Sequence, residues 1–486
     1  MTATTIAAIA TSPGNGAIGV IRISGPLSLS IFTSLAPRFR QQKPEPRRAH
    51  FVRLQSRDGH VLDEALALWF PGPNSFTGED VVELQCHGGT WTLQGVLQEC
   101  LHLGAKPAEA GEFSRRALVN GKLDLLQVEA IADVIHARSE AAHRAAQSHL
   151  SGQLSKEIFA LQDPLVQLMM LVEAAIDFSL EEHVFTISHA DILARLKPIR
   201  DGISRLLGTW DCGRMRMDGI RIAIVGHPNA GKSSLLNWLV GHERALVTDI
   251  AGTTRDYIEE NVLVKGLQFV LVDTAGIRDT SDVVEALGVR RSQEQAERAD
   301  AIWLLVDARA PERSNALLQS LPARPVTVLL TMVDLLTSGV DTSGLSLQGG
   351  TPTHRLSLKT GEGTDVLHNL LLDSAHRAGL RSDEDSAIIT RARHRDVLQR
   401  AMSALDRATQ AAMDRRDHEL VALDLRMGLD ALGEMVGAVT AEDVLNRILW
   451  RAMRGSVAPY PEWAITSGDD DEEEEEEERR RAAATK

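Results

Sequence analysis

The stretch Gly226-His227-Pro228-Asn229-Ala230-Gly231-Lys232-Ser233 constrains this chain more than any other. It follows the apolar run Ile222-Ala223-Ile224-Val225 and precedes the apolar-periodic segment Ser234-Leu235-Leu236-Asn237-Trp238-Leu239-Val240. Buried strand, glycine-rich loop and helix, in that order, are the setting a phosphate-binding P-loop requires. The N–H groups of such a loop wrap the phosphates, and the helix N-terminus adds positive potential. Lys232 is then placed for the β- and γ-phosphates, and Ser233 to ligate Mg²⁺. Asn229, Ala230, Gly231 and Ser234 complete the phosphate loop.

Further constellations follow in the order a GTPase needs. Thr248-Asp249-Ile250-Ala251-Gly252-Thr253-Thr254-Arg255-Asp256 reads as a first switch, with Thr254 as the hydroxyl that completes the Mg²⁺ shell. Phe269-Val270-Leu271-Val272 reads as a buried strand ending in Asp273-Thr274-Ala275-Gly276. Asp273 is the Mg²⁺ carboxylate, direct or through water, and the Gly276 N–H faces the γ-phosphate. The next residue is Ile277, where Ras-like proteins use Gln to orient the attacking water. Two residues are candidates to compensate. The Asn229 amide oxygen can ligate a monovalent cation beside the phosphates and so offset transition-state charge. Glu285, in Ser281-Asp282-Val283-Val284-Glu285, can orient water by hydrogen bonding. On spacing alone, Glu285 reads first as an ordinary solvated switch charge.

Guanine recognition is expected after the strand Val326-Thr327-Val328-Leu329-Leu330. The usual Asn-Lys-x-Asp stands here as Thr331-Met332-Val333-Asp334. Asp334 can still accept from guanine N1–H and the N2 amino group, the pairing that discriminates against adenine. Thr331 brings no amide donor and Met332 no ammonium, so nucleotide affinity is expected to be lower than usual. Ser357-Leu358-Lys359 fits the last base-contacting loop.

The rest of the 486 residues supplies two further textures. Up to about residue 120, short apolar runs alternate with turn signals. Thr5–Thr11, Ile18–Gly25, Ala65–Phe70 and Val81–Gly89 read as strands of a mixed α+β domain. Arg22, Glu79 and Glu83 are charges inside or beside those strands, either paired structural ions or ligand contacts. His87, before Gly88-Gly89, reads as a turn or core histidine or, less simply, a catalytic one.

From Leu123 to about Trp210 the apolar period becomes helical, with Leu125, Val128, Ile131, Val134 and Ile135 on one face. Leu150, Leu154, Ile158, Leu161, Leu165 and Leu168 form another stripe, and the texture resumes after about residue 378. A discontinuous helical domain with the nucleotide domain inserted is the expected architecture. Its leucine stripes read as core, or as a dimer face. The expected divisions are 1–120, 121–215, 216–376, 377–456 and a disordered acidic tail, 457–486.

Composition narrows the function classes. The formal charge of −15 includes a tail with ten acids against four bases, which leaves about −9 for the body. Such a body is no general polyanion binder, so any nucleic-acid contact must be local. Aromatic residues make up 4% of the chain, too few for base stacking as a main activity. Cys86, Cys100 and Cys212 form no disulfide framework and no CxxC metal site, as suits a cytoplasmic protein. No signal peptide and no stretch of membrane-spanning length are read.

The chain resembles the MnmE (TrmE) family of tRNA-modifying GTPases, from Thr5 to about Gly455. Beyond the GTPase motifs, the resemblance is carried by Pro73-Asn74-Ser75-Phe76-Thr77-Gly78-Glu79-Asp80, Gly111-Glu112-Phe113-Ser114, Asn120-Gly121-Lys122-Leu123-Asp124-Leu125 and Val172-Glu173-Ala174-Ala175-Ile176-Asp177-Phe178. It implies an N-terminal α+β domain that dimerises and binds a tetrahydrofolate derivative (5-formyl or 5,10-methylene form). It also implies a discontinuous helical domain and an inserted Ras-like G domain stimulated by K⁺. Residue by residue, Asn229, Thr248, Ile250 and Thr253 match the K⁺ ligands, and Ser233 and Thr254 the Mg²⁺ ligands. Glu285 matches the water-activating glutamate, and Arg22, Glu83 and Lys122 match the folate contacts. The implied partners are tRNA and a flavoprotein, MnmG, in a heterotetramer, with no membrane. The family ends in Phe-Cys-Ile-Gly-Lys, whereas this chain reads Ala452-Met453-Arg454-Gly455-Ser456. A tRNA-modifying GTPase and a GTP-dependent binding switch without tRNA chemistry therefore stand as the two expectations.

Overall fold

In the computed structural model the chain falls into two units, residues 1–129 and 130–486. The residues described are 4–177, 187–242, 258–273, 293–336, 345–347, 351–381 and 387–437.

The first unit runs β1 (Ile6–Ile9), β2 (Ile18–Ser24), α1 (Ser28–Leu35), β3 (His50–Gln55), β4 (Val61–Phe70), β5 (Val81–His87), α2 (Thr90–His102), β6 (Lys106–Pro107) and α3 (Glu112–Val119). Its sheet has the order β3-β4-β5-β2-β1-β6, antiparallel except for the β1–β6 pair. Strand alternation sends Ile21, Ile23, Ala65, Ala67, Val82, Leu84 and Cys86 into one core. They meet Ile31, Phe32 and Leu35 of α1 and Leu93, Val96 and Cys100 of α2. The opposite alternation leaves Arg22 facing Glu83 across β2 and β5. The four expected strands are present: three are shorter than expected, β4 starts four residues earlier at Val61, and the pairing adds β3 and the short β6.

Helix α4 (Leu125–His136) follows. Here the expected face is corrected. Leu125, Val128, Ile131 and Val134 are half-buried and Ile135 is 71% exposed, while the fully buried positions are Leu126 and Ala130, one helical turn apart.

The division between the units falls within α4, and the second unit continues with α5 (Glu140–Leu150), α6 (Gln153–Asp177), α7 (His189–Leu207) and α8 (Trp210–Asp218). Ser139 and Ser188 cap α5 and α7, their hydroxyls accepting from Ala142 N and Asp191 N. Next come β7 (Ile220–Gly226), α9 (Lys232–His242), β8 (Ile258–Val264), β9 (Leu267–Asp273), α10 (293–298 described), β10 (Ala301–Asp307) and α11 (Asn315–Ser320). β11 (Val326–Thr331), β12 (Thr353–Leu356), α12 (Leu367–Arg377), α13 (Ala392–Met413) and α14 (His418–Val436) complete it. α13 packs along α14 and α7, and α14 packs against α6, so helices before and after the sheet share one layer.

The stripe Leu154, Ile158, Leu161, Leu165 and Leu168 is buried as expected. In the helical stretch after residue 378, Leu425, Leu429 and Leu432 are buried and Leu420 and Leu423 are exposed. One expectation is overturned. α6, with 25 residues, is long and apolar enough by length and composition to cross a membrane. Half of its most apolar window is buried inside the protein, which is how an interior helix satisfies the same test. All three cysteines are free and buried. Burial pushes the Cys86 and Cys100 thiols up to about 12, so both stay protonated and unreactive.

The second sheet has the order β12-β11-β10-β7-β9-β8, parallel but for the β8–β9 hairpin. Ile222, Ile224, Leu271, Trp303 and Leu305 pack with α9 and α12 on one face. Ala223, Val225, Ile302, Leu304, Val306 and Val328 pack with Ala296 and Ala299 on the other. Strands buried on both faces explain why these segments read as unbroken apolar runs. The chain order reverses on either side of β7, so the crevice at its carboxyl end is where such a sheet receives a ligand.

Candidate functional site

That crevice is built by the end of β7 and the start of α9. Gly226 lies where β7 meets β10, and a Cβ there would come within 2.6 Å of the Leu305 carbonyl oxygen. The loop then turns through two left-handed residues, Asn229 at φ 62° and Gly231 at φ 94°. Asn tolerates that region better than most side chains, and Gly is free in it. The Lys232 side chain folds back into the loop. Its Nζ donates to the carbonyls of Gly226 at 2.7 Å and His227 at 2.9 Å. Burial pulls the lysine pKa below its ordinary value, and the nearby Asp273 carboxylate opposes the shift.

Asp273 ends β9 and is buried. The Ser233 hydroxyl donates to its Oδ2 at 3.3 Å. A hydroxyl and a carboxylate so placed are the hard oxygen donors that Mg²⁺ takes, with water and phosphate supplying the other positions. Among the described residues there is no group of three or more His, Cys, Asp or Glu fit to hold a metal alone.

At the base end, Thr331 ends β11 and is buried. Its Oγ1 lies 2.9 Å from the Ala230 carbonyl and 3.2 Å from the Val306 carbonyl, donating between them. The hydroxyl thus ties the base loop to the phosphate loop across 101 residues. Sequence reading weighed Thr331 only as a lost amide donor and missed this tie. Asp334 lies in the following 3₁₀ turn, Val333–Leu335. The buried Ser357 hydroxyl donates to its Oδ1 at 2.6 Å, so the two base loops do converge. Leu358 packs against the core below and Lys359 is exposed. The Ser357 hydroxyl leaves Asp334 Oδ2 as the freer acceptor for a base edge.

The expected switch residues Thr248, Asp249, Ile250, Ala251, Gly252, Thr253 and Thr254 lie outside the described residues. So do Thr274, Ala275, Gly276 and Glu285, and Met453, Ser456 and the acidic tail.

The first unit holds a separate constellation. Arg22 Nε and Nη2 both donate to Glu83 Oε1, at 2.8 and 2.6 Å. The guanidinium lies over the rings of Phe76 and Phe113, 5.1 and 5.6 Å from their centroids. The loop carrying Phe76 continues to Gly78, where a Cβ would lie 3.3 Å from Lys122 Cγ. Asn120 Nδ2 donates to the Thr77 carbonyl at 2.6 Å and holds the segments together. Burial lowers the Lys122 pKa, as does Arg47. Arg22, Glu83 and Lys122 therefore border one loop, Arg22 and Glu83 as an ion pair. Glu79 pairs instead with Arg116 at 2.9 Å. His87 is an exposed residue whose Nδ1 meets Asp63 Oδ1 at 2.7 Å, so it belongs to a strand end and not to a core.

Two family profiles match the chain, the GTP-binding protein TrmE N-terminus over residues 5–122 and the MnmE helical domain over residues 125–450. The tRNA modification GTPase MnmE of Chromobacterium violaceum is 43% identical over 455 residues, covering 93% of this chain and 98% of its own. The MnmE of Stutzerimonas stutzeri is 43% identical over 453 residues, covering 91% and 97%. Among solved structures, the G domain of the T. maritima FeoB iron transporter matches 32% of this chain and 98% of its own, at 28% identity and a TM-score of 0.26. The relatives' coverage, both profiles in chain order, and the two constellations at matching motifs lead to one conclusion: the chain belongs to the MnmE (TrmE) family of tRNA modification GTPases.

Proposed function

We propose that this chain hydrolyses GTP with Mg²⁺ and K⁺, and that hydrolysis drives modification of the tRNA wobble uridine, U34. The group installed is of the 5-aminomethyl or carboxymethylaminomethyl type, with a flavoprotein like MnmG as partner in a heterotetramer. The observation that carries the reading is the joining of phosphate and base loops by Thr331 Oγ1, with Asp334 at one end and the Ser233–Asp273 pair at the other. A nucleoside triphosphate bound across that arrangement would have its phosphates at Lys232 and a guanine edge at Asp334.

In this reading Ser233 and Thr254 hold Mg²⁺, which neutralises charge on the phosphate oxygens when bound. Asn229 would hold K⁺ beside the triphosphate with Thr248, Ile250 and Thr253. The Gly276 N–H would face the γ-phosphate and Glu285 would orient water. Ser234, Asp249, Ala251, Gly252, Thr274 and Ala275 complete the nucleotide contacts. The divisions 1–120, 121–215, 216–376 and 377–456 serve as dimerisation, first helical, G and second helical regions in a cytoplasmic homodimer. At the Arg22–Glu83 pair, the carboxylate suits the amino edge of a pterin, and Phe76 and Phe113 offer apolar walls. Lys122 suits an anionic group of the same tetrahydrofolate.

Two outcomes check the catalytic part. GTP turnover is expected to rise at least about tenfold when K⁺ replaces Na⁺, because a held cation does work that elsewhere amounts to ~10³–10⁵ in rate. Equal turnover in both salts at saturating GTP rejects the cation role of Asn229. Glu285→Ala is expected to slow hydrolysis by about 10²-fold with little change in GTP affinity, read by single-turnover kinetics. An unaltered rate removes Glu285 from the mechanism.

A second reading, a GTP-dependent switch without tRNA chemistry, is favoured by one observation. Met453 stands where the family has its C-terminal cysteine. A thioether cannot become a thiolate. Nucleoside analysis of tRNA from a strain lacking the chain separates the two: loss of the modified uridine supports the first reading, and an unchanged profile the second.

A further inference from the structure

Guanine-binding loops of the Asn-Lys-x-Asp kind place a lysine ammonium beside the nucleotide, and this chain has Met332 at that position. The structure puts another cation there. Arg309 lies two residues beyond the end of β10, and β10 pairs with β11 so that Asp307 is opposite Thr331. Arg309 Nη2 lies 3.5 Å from Met332 Sδ. Asp307 grips the same guanidinium from the side, with Nε–Oδ1 at 2.9 Å and Nη2–Oδ2 at 2.6 Å. The Arg309 backbone N–H also donates to Asp307 Oδ1 at 2.9 Å. The guanidinium is thus anchored at both ends of its side chain, although about half of that side chain is exposed. Nη1 takes part in neither contact.

An exposed ion pair of this kind adds little to stability. What it does is fix the direction of a planar cation, which an arginine fork achieves where a free lysine would not. The direction it fixes is along Met332, at the loop that carries Asp334. We propose that Arg309 is a nucleotide-contacting residue. It supplies, at the base and ribose end of the site, the positive charge that the Thr331-Met332-Val333-Asp334 loop lacks, and Asp307 is its positioning residue. The arrangement moves one function from β11 to the neighbouring strand end. This inference rests on the GTP reading above and goes beyond it to a specificity and affinity determinant of this chain.

The test is titration of GDP into the full chain and into Arg309→Ala, Met332→Lys and the double variant, with Mg²⁺ present. Loss of one charge-assisted contact is expected to raise the Kd of Arg309→Ala about tenfold. The double variant is expected to return to within about threefold of the parent, because the new ammonium restores the missing charge. That recovery is the readout a merely structural role would not produce. An Arg309→Ala variant that binds within twofold of the parent overturns the proposal. So does a weakened Arg309→Ala that Met332→Lys fails to rescue. A parent chain that does not bind GDP at all overturns the GTP reading instead, and this inference with it.

Discussion

Lys232→Ala is expected to lower kcat/KM for GTP by about 10²–10³-fold, the scale for removing one preorganised donor from a developing oxyanion. The physical reason is already present in the fold. Burial keeps the Nζ largely out of water, and the two carbonyls that hold it, from Gly226 and His227, belong to the loop that would wrap the phosphates. A phosphate oxygen arriving in the loop meets a cation whose desolvation has been completed on folding, so less is lost on binding. The same truncation removes a buried charge, and the thermal midpoint is expected to move by only a few degrees. Steady-state phosphate release and a melting curve on the same sample check both halves. Turnover within fivefold of the parent would mean that the loop does not hold the reacting phosphates.

Asp334→Asn is expected to exchange guanine for xanthine preference. Asp334 accepts from two guanine donors, and each charge-assisted bond is worth ~1.5–3 kcal/mol. Losing both bonds corresponds to a drop in GTP affinity of about 10²–10⁴-fold. An amide presents a donor instead, and xanthine carries a carbonyl where guanine carries its amino group. Ser357 Oγ would still find an acceptor in the Asn oxygen, so the 2.6 Å bond that joins the two loops survives the change. Competition between GTP and XTP for one labelled nucleotide reads the result directly. Unchanged guanine preference would place the base elsewhere.

What was legible in the sequence was local. The run from Ile222 to Val240 reads as strand, loop and helix because an apolar strand, two loop glycines and an amphipathic helix are adjacent in the chain, and it folds that way. Asp273 was legible because the strand before it is unmistakable, and it ends β9 beside Ser233. The tie from Thr331 to Ala230 was not legible, since 101 residues separate the partners and only the parallel pairings of β11 with β10 and of β10 with β7 bring them together. Arg309 was passed over for the same reason. Nothing in the triplet Asp307-Ala308-Arg309 says that its neighbour in space is Met332. Period counting also fell short on α4, where the expected Leu125, Val128, Ile131 and Val134 are only half-buried and Leu126 and Ala130 carry the full burial. On α6 the sequence reading missed a stretch of membrane-spanning length, half of whose most apolar window is buried inside the protein.

The order of the helices along the chain has one more consequence. α6 packs against α14, and some 240 residues, with the whole of the second sheet among them, lie between the two in the chain. A growing polypeptide therefore exposes the leucine-lined side of α6 long before the ribosome has made the helix that covers it. The sheet from β7 to β12, contiguous in the chain, can finish first, since domains fold as units during synthesis at ~5–20 residues per second. For that interval, of order ten seconds or more, the nascent chain carries a sticky, half-built bundle. Its safe maturation depends on whatever shields that surface on the way out of the tunnel.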